Sequence, residues 1–173
     1  LTPGTGSGRY RERLLRFCAT FVVLQLVVQA VYYGWLLKSG LFRGYLHFLG
    51  VSAAALVRLT GHSVVCDGET MRGAFEMSIR SGCDGLQAMA ILATAVLAFP
   101  SSWLRRLAGA SIGVLALLGV NILRIATLFV AGESWPRHFQ TLHVHIWPAL
   151  LMLCTIVLWV VWASRVPPAP RTA

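Results

Sequence analysis

Four apolar stretches constrain this chain more than any other feature. A bilayer core about 30 Å thick takes about 20 mostly apolar residues per spanning helix. Residues 14–37 carry no charge after Arg16, residues 107–131 carry only Arg124, and residues 146–163 carry none. A fourth stretch, 84–100, is shorter and uncharged after Asp84, and it spans if residues 101–104 complete its last turn. Hydrophobic residues make up 57% of the 173 positions and charged residues 12%, where a soluble domain carries about a quarter charged residues. Lipid, not water, is therefore the solvent for most of the chain. The expected fold class is an all-α polytopic membrane protein with about four transmembrane helices.

Basic residues favour the cytoplasmic side of a membrane and so orient the spans. Arg9, Arg11, Arg13 and Arg16 precede the first stretch, Arg105 and Arg106 join the second to the third, and Arg165 and Arg171 follow the last. Four spans place all of these on one side. The opposite side then receives residues 38–82 and 132–142, together with most of the acidic residues. Both termini are expected to be cytoplasmic. The formal charge of +9 does not point to nucleic acid, because these arginines end apolar runs instead of forming a face interleaved with aromatics. No nucleic-acid partner is expected, and membrane lipids are.

Residues 41–60 are apolar but hold Arg43, His47 and Arg58, and a fifth crossing there would put the N-terminal arginines outside. An interfacial or partly inserted helix is the preferred reading. Between residues 61 and 82 the pattern alternates in short runs, Ser63-Val64-Val65-Cys66 and Phe75-Glu76-Met77-Ser78-Ile79-Arg80, around Asp67-Gly68-Glu69. That predicts a small extracytoplasmic β-hairpin, since an open two-stranded sheet cannot satisfy its edges in lipid. The chain divides into a flexible segment or tag remnant (1–8), a single membrane-embedded domain (9–165) and a cytoplasmic tail (166–173).

Ser81-Gly82-Cys83-Asp84-Gly85-Leu86-Gln87 lies where the outer loop enters the second span. Glycines around a cysteine allow close approach of a substrate backbone, and the unpaired amides of a helix start favour a thiolate. Cys83 is thus a candidate nucleophile; the structural alternative is a disulfide to Cys66 in the same loop. Asp84 could cap the helix or, as a neighbouring carboxylate, raise the thiol pKa. Cys18 and Cys154 sit inside apolar spans and read as packing residues. Asn121 and Arg124 share a face of the third span; an arginine there marks a buried site or a polar cavity unless it only pairs with carbonyls of a neighbouring helix. Gly109 and Gly113, four apart, read as a helix-packing pair.

His138, His143 and His145 cluster where the last span begins, and a histidine at that level can act as general base or simply anchor the interface. His62 and Cys66 could join them around a metal, but no strong zinc spacing occurs, so neither metal nor cofactor is expected. The topology brings Cys83, Arg124 and His143 to one membrane level. Nucleophile, base and a cation for an oxyanion are the groups that acyl transfer through a thioester needs. Two readings from other classes stay open. One is a non-enzymatic assembly protein built on a Cys66–Cys83 disulfide, and the other a small transporter or redox protein using Arg124 and the histidines in a polar pathway.

Cys83-Asp84-Gly85-Leu86, Asn121-Ile122-Leu123-Arg124-Ile125 and His143-Val144-His145-Ile146-Trp147, in this order over roughly residues 75–150, resemble the exosortase and archaeosortase family. The resemblance implies a prokaryotic cytoplasmic-membrane cysteine protease or transpeptidase with its active site on the extracytoplasmic face. It implies substrates carrying a C-terminal motif, a transmembrane helix and a basic cluster, and a lipid-linked or glycan acceptor if the reaction is a transfer. Cys83 then matches the nucleophile, Arg124 the essential arginine and His143 the histidine, with His145, Asn121, Asp84 and Gln87 as supporting residues. Two positions depart from the common pattern: Asp84, where many members have Ser, and Ile146-Trp147, where many have Gly-Trp.

Overall fold

A computed structural model describes residues 5–166. Helix α1 (Thr5–Gly34) leads through a 3-10 turn (Leu36–Lys38) into α2 (Gly40–Leu59). Strands β1 (Val64–Asp67), β2 (Thr70–Gly73) and β3 (Glu76–Ser78) follow, then α3 (Leu86–Ala98), α4 (Trp103–Ser134), the short α5 (Pro136–Thr141), a π-helical turn (Leu142–Ile146) and α6 (Trp147–Arg165). The segment expected to be flexible, 1–8, is helical from Thr5 onward. Residues 1–4, and all but the first residue of the expected tail 166–173, lie outside the described part.

Four helical runs are long and apolar enough to cross a membrane: Tyr10–Lys38, Gly40–Leu59, Trp103–Ser134 and Pro136–Arg165. The polytopic all-α class is as expected, but the membership of that set differs in one respect. Helix α3 has only 13 residues, about 20 Å at the helical rise. It stops at Ala98 because Phe99 precedes Pro100 and is forced extended, at φ −69° and ψ 137°. Residues 103 and 104, expected to complete its last turn, instead open α4. Helix α2, read as interfacial, reaches the spanning length and buries Phe42, Leu46, Leu49, Gly50, Ala53, Ala54 and Val57 along one stripe. Ser39 caps it, its Oγ accepting from the Phe42 amide at 3.3 Å.

Two apolar cores result. Met89, Leu92 and Val96 of α3 pack with Leu117 of α4 and Leu151 of α6. The other core joins Tyr32, the buried stripe of α2, Val64 and Met71 of the sheet, and Ile125, Ala126 and Phe129 of α4. Gly109 and Gly113 are packing positions: a Cβ on Gly109 would collide with the Trp162 indole of α6, and one on Gly113 would meet Leu92 Cδ2 at 2.5 Å. Gln25 and Thr94 tie α1 to α3 through a 3.0 Å hydrogen bond inside the apolar layer.

The sheet is a three-stranded antiparallel meander of order β1-β2-β3, not the two-stranded hairpin expected. Its first turn uses Gly68 at φ +58°, and Cys66 pairs with Met71 across it. Residues 70–73, which carry little alternation, supply the central strand because Met71, fully buried, fills the second core. Phe75 continues this anchoring with its ring 6.1 Å from that of Phe129 and against Gly132, where α4 has no side chain to displace it.

Candidate active site

The short α3 sets the depth of the site. Gly85, its N-cap at φ +73°, lies against α4: a Cβ there would sit 2.7 Å from Asn121 Cγ. Asn121 is fully buried, and α4 continues for roughly 20 Å beyond it to Ser134. The loop preceding α3 is therefore recessed, with the sheet and α5 walling it in.

Within that loop Cys83 is placed by backbone bonds on both sides of its peptide. Its amide donates to the Arg80 carbonyl at 2.9 Å, closing a turn that has Gly82 at φ +93°. Its carbonyl accepts from Asn121 Nδ2 at 3.1 Å. Its Sγ lies 2.8 Å from His143 Nε2 and 3.9 Å from Arg124 Nη2. Arg124 is 3% exposed. Its Nε, a donor, and Asn121 Oδ1, an acceptor, have no hydrogen-bond partner among the described residues, so the fold does not use all of the guanidinium's donor capacity. His143 comes forward on the π-helical turn, a distortion that often accompanies functional sites, and the Phe139 ring lies 5.7 Å from its imidazole.

Asp84 does not contact the sulfur through a hydrogen bond; it holds the loop. Its Oδ1 accepts from the Leu86 amide at 2.9 Å, capping α3, and its Oδ2 accepts from Tyr32 Oη at 2.5 Å and from the Gly82 amide at 3.4 Å. Tyr45 donates to the Asp84 carbonyl at 2.8 Å. The two tyrosines thus join α1 and α2 to the loop. A lone Tyr in an apolar run carries no such signal in sequence, except that a buried phenol needs a polar partner.

The thiol of Cys83 lies above its ordinary pKa. Burial is the main cause, Arg124 pulls in the opposite direction, and Asp84 adds to the rise. This resolves the sign left open for Asp84. The Cys66 thiol is also pushed up, by burial first and by Asp67, with Arg58 opposing. The Cys66 sulfur makes no hydrogen bond to an imidazole among the described residues: it faces Gly68 O at 3.7 Å, an oxygen that His47 Nδ1 also meets at 2.8 Å, and it sits against Gly50 of α2.

The structure thus gathers Cys83, Arg124, His143, Asn121 and Asp84, and leaves the remaining expected residues out. His145 is exposed and makes no side-chain hydrogen bond among the described residues, while Gln87 donates to Tyr33 Oη at 3.0 Å on α1. Cys66 and Cys83 are both free, so the disulfide of the assembly-protein reading is not formed. His62 pairs with Glu133 at 3.0 Å, away from the sulfur. A cavity of about 260 Å³ opens on Cys83 and His143, walled by β3, Phe75, Ile125, Leu128 and Phe139.

These features define a polytopic membrane protein in which a half-buried cysteine, a histidine and a buried arginine converge beside a small sheet. The sequence pattern of the transmembrane exosortases matches residues 12–162, and the chain belongs to that family. No curated protein and no solved structure matches it. Family membership supports a membrane transpeptidase or protease in general terms.

Proposed function

We propose that this protein is a cysteine transpeptidase or protease that cleaves the C-terminal sorting signals of exported proteins at the extracytoplasmic face of a prokaryotic cytoplasmic membrane. The single observation that carries the reading is the 2.8 Å approach of Cys83 Sγ and His143 Nε2 beside a buried guanidinium. The thiol rests protonated because burial outweighs Arg124, so a base within hydrogen-bond reach is needed to generate the nucleophile on demand.

In the proposed cycle His143 Nε2 takes the thiol proton as Sγ bonds to the scissile carbonyl carbon. The carbonyl π pair moves to oxygen, and Arg124 stabilises the resulting oxyanion. Collapse of the tetrahedral intermediate breaks the C–N bond, and His143 returns the proton to the departing amine. This leaves a thioester on Cys83. Water, or an amine on a lipid-linked or glycan acceptor, then attacks the thioester, and the thiol regains its proton through His143. Asp84 and Asn121 position the cysteine and take no part in bond making.

The supporting topology is the charge pattern: Arg105, Arg106 and Arg165 gather at the end of the bundle opposite the sheet, which favours the sheet end as extracytoplasmic. The test is processing of a co-expressed protein ending in a motif, a helix and a basic cluster. Cys83→Ala at normal membrane abundance is expected to leave it unprocessed, and intact processing by that variant would overturn the reading.

A further inference from the structure

Strand β3 lies at the edge of the sheet and also walls the cavity that opens on Cys83 and His143. Its register reveals which backbone groups are free. The Gly73 amide donates to Phe75 O at 3.1 Å, and the Ile79 amide donates to Glu69 O at 2.8 Å. Hydrogen-bonded and non-bonded pairs alternate along an antiparallel ladder. The Met71–Met77 pair between those two bonds is therefore the bonded one, whereas Arg72–Glu76 and Thr70–Ser78 are non-bonded pairs. It follows that the N–H and C=O groups of Glu76 and Ser78 point away from β2, and none has a backbone partner among the described residues.

An unpaired edge usually invites aggregation and is blunted by charge, proline or a cover. Here Glu76, Met77 and Ser78 instead border a cavity that ends at a thiol–imidazole pair. From Ser78 the chain turns through residues 79–82 directly to Cys83. A strand added to this edge would bring its backbone past the sulfur.

We propose that the recognition motif of the substrate binds as an extended segment that adds to β3 as a fourth strand, its backbone pairing with the free N–H and C=O groups of Glu76 and Ser78. Main-chain pairing of this kind supplies affinity and register, while alternate side chains read pockets. The pocket on this edge is formed by Phe75, Ile125, Leu128 and Phe139, so the substrate side chain that faces the cavity is apolar. This inference rests on the reading of Cys83 as the nucleophile and adds to it how the scissile bond is aligned.

Proline discriminates the free edge from the paired one. At position 78 it removes an N–H that the sheet does not use, and a proline is tolerated on an edge strand in that phase. Ser78→Pro is expected to accumulate in the membrane and to keep the iodoacetamide alkylation rate of Cys83. It is also expected to lose processing of the co-expressed substrate by roughly tenfold or more, the cost of leaving a buried carbonyl unpaired. Thr70→Ala controls for the side-chain bond between Thr70 and Ser78, 3.0 Å long, and is expected to process normally.

Processing by Ser78→Pro at the parental rate would overturn strand addition while leaving the nucleophile intact, because Cys83→Ala tests that separately. Should Ser78→Pro fail to accumulate, Glu76→Pro makes the same measurement one pair along. Failure of both to accumulate would show that these amides hold the fold, which equally overturns the proposal.

Discussion

Asn121 supports Cys83 from below: its side-chain amide donates to the Cys83 carbonyl at 3.1 Å, and its Cγ occupies the space in which Gly85 would carry a Cβ. One residue of α4 therefore sets the height and tilt of the reactive loop. Gly85→Ala would meet both a contact of 2.7 Å and a φ of +73°, a conformation that costs an L side chain roughly 1–3 kcal/mol. The variant is expected to melt at lower temperature in detergent and to lose most processing. Asn121→Ala, which removes the donor without a clash, is expected to keep more stability than Gly85→Ala yet still process slowly. A melting temperature and processing rate unchanged in Gly85→Ala would contradict this role.

The loop is also held from above through Asp84. Tyr32→Phe removes one donor from a carboxyl group that is 1% exposed, at an expected cost of about 1–3 kcal/mol in stability. Thermal unfolding of the detergent-solubilised protein measures it. Tyr33→Phe, which keeps the ring against Tyr32 and removes only the hydroxyl that accepts from the exposed Gln87, is expected to leave the melting temperature nearly unchanged.

The pH response of Cys83 carries a definite sign. Burial raises the thiol, Arg124 lowers it and Asp84 raises it. Alkylation follows the thiolate, so its rate still climbs with pH where an ordinary cysteine has levelled off. Asp84→Asn removes a raising influence and is expected to shift the midpoint of the alkylation profile down; Arg124→Gln removes a lowering one and shifts it up. Iodoacetamide labelling of a variant in which Cys83 is the only cysteine reads both shifts. The opposite order would mean that the two charges do not act on this sulfur.

Much of the site was legible because rare residues in apolar surroundings stand out. Arg124 and Asn121 interrupt an uncharged span, and Cys83 sits among glycines at a helix start, so charge asymmetry alone brings them to one level with His143. The supports were not legible. Tyr32 and Tyr45 look like ordinary amphipathic residues until α1 and α2 pack against the loop. Residues 70–73 have no strong alternation, and their strand exists because Met71 finds a core to fill. The apolar run 84–100 overstated α3, since the proline at 100 ends the helix through the residue before it. His143, singled out in the sequence, faces the cysteine from a π-helical turn, a local distortion that the apolar pattern of the last span does not announce.

Arg124 and the two histidines can be separated by substitution. Lysine keeps the charge but loses the planar guanidinium with its several fixed donors, so Arg124→Lys is expected to insert normally and lose most activity. His143→Ala is expected to abolish processing, while His145→Ala, exposed and outside the cluster, retains it. Processing of the co-expressed substrate, normalised to membrane abundance, checks all three. Near-normal activity of Arg124→Lys would reduce that residue to a counter-charge.

In the proposed cycle one cysteine of the four forms the covalent intermediate, and a pair of variants isolates it. The chain with Cys18, Cys66 and Cys154 replaced by alanine, keeping Cys83 alone, is expected to process a co-expressed sorting-signal protein at close to the parental rate. The single replacement Cys83→Ala is expected to accumulate in the membrane equally well and to leave the signal uncleaved. Cleavage by Cys83→Ala at normal abundance, or its loss in the chain that keeps only Cys83, would contradict the account.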